Sequence, residues 1–164
     1  MARVREDRGI VIESSWSAER LVRSAAHQMG VRFRLLDEDM PGHPHLVLPS
    51  RRAVLFVCSC NRYFHDCSRG RENEVFDQWR RSALHHRKGL DAVCMVLNHR
   101  GWRAGVIWEC ETTKPEVLRR SLARELGNDL QDRPLPVIPV RYAAAGPPEY
   151  PPLIPVKKRP SRPL

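Results

Sequence analysis

The chain has 164 residues, room for one domain with a real core and a tail to spare. No apolar run is long enough to span a bilayer, and the charged N-terminus lacks a signal-peptide core, so a soluble, cytoplasmic protein without membrane association is expected. A net charge of +9 rests on 24 arginines and four lysines, a balance suited to bidentate recognition of phosphate and so to nucleic acid.

In chain order, residues 1–13 are charged and then β-branched (Ile10, Val11, Ile12), fitting an edge strand or an arm. A first helix is predicted from Ser17, as N-cap, to Gly30, as stop. Leu21, Ala25 and Met29 recur at spacing four, and Glu19 lies in the first turn, where the helix dipole favours a carboxylate. Residues 31–35 alternate apolar and basic as a half-exposed strand does, and 37–42 read as a turn. Two apolar runs, 46–49 and 53–57, predict an antiparallel hairpin.

A long basic helix follows over Glu74 to Asn98, with Leu84, Leu90, Val93, Cys94 and Leu97 on its apolar face and Gly89 weakening its middle. Gly101 ends it before a strand over 104–108, and a helix returning the chain to the same sheet predicts an α/β fold. A last helix runs from Pro115 to Leu126, stopped by Gly127. Ten of the fourteen prolines lie from Pro134 onward, so the organisation is a domain over 1–130 and a Pro-rich basic tail over 131–164, extended or disordered. Trp16, Trp79 and Trp102 are assigned to packing, and residues 85–88 to a solvated basic face that could touch a DNA backbone.

Five cysteines are an odd number, and in a reducing compartment clustered thiols more often bind metal than pair. Cys60, His65 and Cys67 offer the thiolate and imidazole ligands zinc prefers, and Cys110, ending a second apolar run, is the candidate fourth.

Taken together, Pro41-Gly-His-Pro44, the Cys-x4-His-x-Cys cluster, Gly101-Trp-Arg and Val106-Ile-Trp-Glu-Cys110 resemble the very short patch repair (Vsr) endonucleases over roughly residues 18–126. The resemblance implies a restriction-endonuclease-like α/β fold of the PD-(D/E)xK type, a central mixed sheet flanked by helices, and a structural zinc on Cys60, His65, Cys67 and Cys110. Cys58 is then a spare thiol. It also implies Mg²⁺-dependent nicking of double-stranded DNA at mismatches, by a monomer that could meet other mismatch-repair proteins.

The catalytic positions carried over are Glu19, which matches, and two departures. His45 stands where the family has a metal-holding aspartate, and imidazole is a poor Mg²⁺ ligand without negative charge. Tyr63 stands where the family has its histidine base, and a phenol is a weak base near neutrality. A further acidic position falls on Leu90, beside Asp91, and the main-chain carbonyl of Val57 would complete the Mg²⁺ site. Asn61 and Arg62 replace the aromatic pair that wedges into DNA, with Tyr63 and Phe64 next to them as the remaining DNA-binding candidates.

Three functions follow: a DNA-binding protein with cleavage lost or strongly weakened; a nicking enzyme using His43 or His45 as base, with Glu19 and Asp66 or Glu109 on the metal; or an interaction module built on zinc and the Pro-rich tail.

Overall fold

A computed structural model describes residues 10–35, 37, 39–71 and 77–137. Among the described residues the sheet has four strands in the order β1 (Arg34–Leu35), β2 (Leu46–Leu48), β3 (Ala53–Cys58), β4 (Arg103–Trp108). The first two pairings are antiparallel and β3–β4 is parallel, which makes the sheet mixed, as expected. The predicted hairpin closes through a 3₁₀ turn at Pro49–Arg51, with Arg52 in the left-handed region.

β3 is buried along its whole length, and its pleat sends alternate side chains into two cores. Ala53, Leu55 and Val57 join a cluster with α1 (Trp16–Gln28) and α4 (Pro115–Leu126). Val54, Phe56 and Cys58 join Leu90, Val93 and Leu97 of α3 (Asp77–His99) on the other face. One helical layer therefore covers each face, and α3 is the crossover that makes β3 and β4 parallel. A short α2 (Ser68–Arg71) precedes it. Gly89 does not interrupt α3; its bare Cα lets an Ile10 methyl lie against the helix.

Some expectations change. The first helix starts before Ser17: Ser15 holds the N-cap position, with extended backbone but no side-chain cap bond. The half-exposed strand over 31–35 shortens to two exposed residues, because Val31 turns into the core and β1 pairs with β2 only at Arg34 and Leu35. Trp16 and Trp79 are not packing residues: they are 68% and 61% exposed, and only Trp102 packs against the core.

Among the described residues, no helix is long and apolar enough to cross a membrane. The tail is described only to Val137, whose N–H donates to Gln28 Oε1 on α1 at 2.9 Å; the proline-rich remainder lies outside the described residues.

Candidate functional site

Where β3 ends, the chain turns tightly through residues 59–67. Phe64 takes a left-handed φ of 48°, and the His65 N–H returns to the Cys60 carbonyl at 2.9 Å. This curl brings Cys60, His65 and Cys67 together, and the 3₁₀ turn after β4 delivers Cys110. All four ligand atoms lie within 4.8 Å of one another, and Cys110 Sγ is 3.6 Å from His65 Nδ1. Bonds of about 2.0–2.3 Å to a shared centre suit that spread, and two or more thiolates with an imidazole are a zinc donor set.

The surroundings hold these ligands in place. The His65 ring stacks on Trp108 at 4.3 Å and 4°, with the Arg87 guanidinium 5.2 Å from the centroid of the Trp108 ring. Burial keeps His65 below the usual histidine pKa, favouring the neutral ring a metal requires. Hydrogen bonds from Cys60 and Cys67 draw the Cys110 thiol down to about 7, whereas giving its proton to Cys110, together with burial, pushes Cys60 up. Gly70 N–H reaches Cys67 Sγ at 3.4 Å. Any Cβ at Gly70 would collide with the His65 carbonyl oxygen, so only glycine lets α2 pack this closely. The sequence reading missed Gly70, although a glycine three residues after a ligand cysteine is a signal of close backbone approach. Cys58 and Cys94 stand apart from this cluster.

The second group of candidates converges on the segment from Ile10 to Ser15, which crosses the same end of the sheet. His45 is 3% exposed, and both its ring nitrogens are engaged. Nδ1 accepts the Val57 N–H at 2.8 Å, so Nε2 carries the proton and donates to the Ile12 carbonyl at 2.9 Å. Burial lowers the His45 pKa, against the opposing effects of the Ile12 bond and the Glu19 charge, so the ring is neutral. The Val57 carbonyl accepts the Ser15 N–H at 3.2 Å. Tyr63, 2% exposed, accepts the Glu13 N–H at 2.9 Å and donates to the Glu13 carbonyl at 3.2 Å. Burial raises its phenol pKa to about 12. The Ile12 N–H bonds the Gly42 carbonyl at 3.0 Å, completing a strap fastened at both edges.

The other predicted residues are dispersed. Glu19, on α1, is 3.5 Å from Arg23 and close enough to His45 to act on its charge. Leu90 is buried core, and Asp91 pairs with Arg87 at 3.1 Å, in a cleft shared with His65, Trp108 and Arg124. Asp66 is held by Arg71 at 2.7 Å, and Glu109 lies 3.8 Å from Arg69. His43 is half-buried with a φ of 52°. Arg62 bonds Glu13 at 2.8 Å, Asn61 is half-buried beside it, and the half-buried Phe64 ring lies 5.8 Å from the Arg80 guanidinium. Neither the strap nor the pairing of Glu13 was foreseen, since the strap is held mostly through its own backbone groups, which carry no residue-type signal.

The DNA mismatch endonuclease Vsr family model matches residues 10–69, a span holding the strap, the hairpin and three of the four clustered ligands. The chain is 40% identical over 105 residues to the type II nicking enzyme V.XorIIP of Xanthomonas oryzae pv. oryzae, covering 63% of this chain and 77% of that protein. It is 29% identical over 107 residues to the type II nicking enzyme V.NmeAIP of Neisseria meningitidis, covering 65% and 76%. The DNA mismatch endonuclease Vsr of Escherichia coli is 26% identical over 105 residues, covering 61% and 65%. With the ordered motifs, the mixed sheet between two helical layers and this degree of identity all in agreement, the chain belongs to the Vsr endonuclease family.

Proposed function

We propose that this chain is a zinc-stabilised, duplex-DNA-binding member of its family in which Mg²⁺-dependent phosphodiester cleavage is lost or strongly weakened. One observation carries the reading: His45, Tyr63 and the Val57 carbonyl, three groups the family resemblance assigns to chemistry, are all bonded to the strap. A metal ligand needs a free lone pair and a base needs a pKa near the working pH. His45 has no free lone pair and Tyr63 titrates at about 12.

Glu19 is then the one carboxylate acting on this end of the sheet from the predicted catalytic set, too little charge for a hard cation that depends on oxygen ligands. Zinc would be held by Cys60, His65, Cys67 and Cys110, where it cross-links the 59–67 turn to the end of β4 and supplies folding energy. Duplex binding is supported by the net charge of +9 and by the exposed Arg80 and Arg81 on α3. A nicking assay on a T:G duplex with Mg²⁺, Mn²⁺ and Co²⁺, run beside a gel shift, tests both halves. The expected result is a salt-sensitive shift without nicking, and activity recovered by combining His45→Asp with Tyr63→His. Metal-dependent nicking by the unaltered protein would overturn the reading.

A second reading, a working nicking enzyme with a rearranged site, is favoured by the similarity to two type II nicking enzymes. It leaves His43 as the base, since His45 is committed. Nicking abolished by Glu19→Ala would mark it.

A further inference from the structure

The strap has two kinds of fastening. Its backbone is tied by buried or half-buried groups: Ile12 to His45 and Gly42, Glu13 to Tyr63, Ser15 to Val57. The Glu13 side chain is different. It is 61% exposed, and its carboxylate sits 2.8 Å from Arg62, itself only partly covered. Tyr63 and Phe64, the next two residues, bring further basic side chains to this region. The His86 ring is 6.1 Å from Tyr63, His85 is 6.1 Å from His86, and Arg80 is 5.8 Å from Phe64. Burial first, then Arg62 and His85, lower the His86 pKa, and the Glu13 charge opposes them.

Of these four side chains, Arg62 is the one held by Glu13. Arg62 Nε, buried, has no hydrogen-bond partner, so the guanidinium is incompletely satisfied even with Glu13 in place. A carboxylate paired with an arginine beside these basic side chains occupies the position an external anion would take. Carboxylate and phosphodiester oxygens present the same acceptor geometry to a guanidinium.

We propose that Glu13 is an internal stand-in for a DNA phosphate: it occupies Arg62 in the free protein and gives way to a phosphodiester when duplex binds, while the backbone carrying it stays fastened. The proposal rests on the duplex-binding reading above. Its cost to the free protein is small, because the contact given up is an exposed ion pair. Its effect is to lower the net ion release on binding: the phosphate takes Arg62, and the freed Glu13 must be neutralised again.

The test is fluorescence anisotropy with a short labelled duplex at several salt concentrations, using the full chain, Glu13→Gln, Arg62→Ala and the double variant. Glu13→Gln should tighten binding about two- to fivefold, the range an exposed ion pair spans, and steepen the salt slope by about 0.9, the value of one phosphate contact. In the Arg62→Ala background the same substitution should change neither quantity. Equal affinity for Glu13→Gln and the unaltered chain would overturn the proposal, as would a tightening undiminished by Arg62→Ala, which would signify charge alone. Absence of duplex binding by all four proteins would overturn the function reading, and the exchange with it.

Discussion

Replacing His45 by alanine removes two hydrogen bonds and a ring at once. The Val57 N–H on the buried β3 loses its acceptor and the Ile12 carbonyl loses its donor. An unsatisfied buried donor costs about 1–3 kcal/mol. The ring also meets Phe56 edge-on, with centroids 5.9 Å apart, a contact of about 0.5–1.5 kcal/mol. Together these give a destabilisation of about 3 kcal/mol, which at an m value of about 2 kcal/mol/M moves a urea midpoint down by about 1.5 M. Asparagine should recover part of this, since its amide oxygen can stand near Nδ1 and accept the Val57 N–H. Equilibrium urea unfolding of the three proteins provides the comparison.

The same experiment, repeated across pH, reads the protonation state. The folded pKa of His45 lies below 6.5, so the unfolded chain takes up a proton that the folded chain excludes. Its contribution to stability is therefore complete above about pH 6.5 and is lost as pH falls from there toward the folded pKa. His65 and His86 are depressed in the same direction, so the readout is the difference between proteins: the His45 variants should lose stability less steeply below that pH. A loss of under about 0.5 kcal/mol for His45→Ala, or identical pH slopes, would refute the assignment of both ring nitrogens to the backbone, since two buried bonds cannot be that cheap.

Two further outcomes concern the cysteine cluster. Purified protein should carry one zinc per chain by metal analysis; chelation or Cys110→Ser should lower the thermal midpoint, while Cys58→Ala should leave the zinc content unchanged because Cys58 is outside the ligand group. Gly70→Ala should both destabilise the fold and reduce zinc content, because the new methyl meets the rigid His65 carbonyl rather than a movable side chain; full zinc loading with unchanged stability would contradict this packing.

Much of the fold could be read directly because its signals are local. The apolar runs at 46–49 and 53–57, the spacing-four pattern of Leu21, Ala25 and Met29, and the stop at Gly127 each report the element they belong to, to within a residue for the strands. The clustering of Cys60, His65 and Cys67 into a group that could hold a metal was equally legible, since few other roles place thiols and imidazole so close in sequence. What escaped depended on partners distant in the chain. Trp16 and Trp79 look like core by residue type, yet each lies on the outward side of its helix, and type alone does not give facing. The strap is still less visible: apart from the Glu13 carboxylate, it bonds across the fold through its own main-chain groups, and any sequence supplies those.

That difference alters the meaning of the two departures. Taken singly, and on the positions the family resemblance assigns, His45 and Tyr63 would be losses, a carboxylate and a base replaced by groups unfit for the task. Taken together they share one new partner, because each bonds the backbone of adjacent strap residues, Ile12 and Glu13. An aspartate at position 45 could accept the Val57 N–H but has no proton to give the Ile12 carbonyl, and two acceptors facing each other in a buried site repel. A strap held there and a cation held there are thus alternative ways of satisfying the same end of the sheet. Restoring either residue alone would leave the strap half-fastened by the other, so under the proposed function cleavage is expected only when His45→Asp and Tyr63→His are combined in one chain.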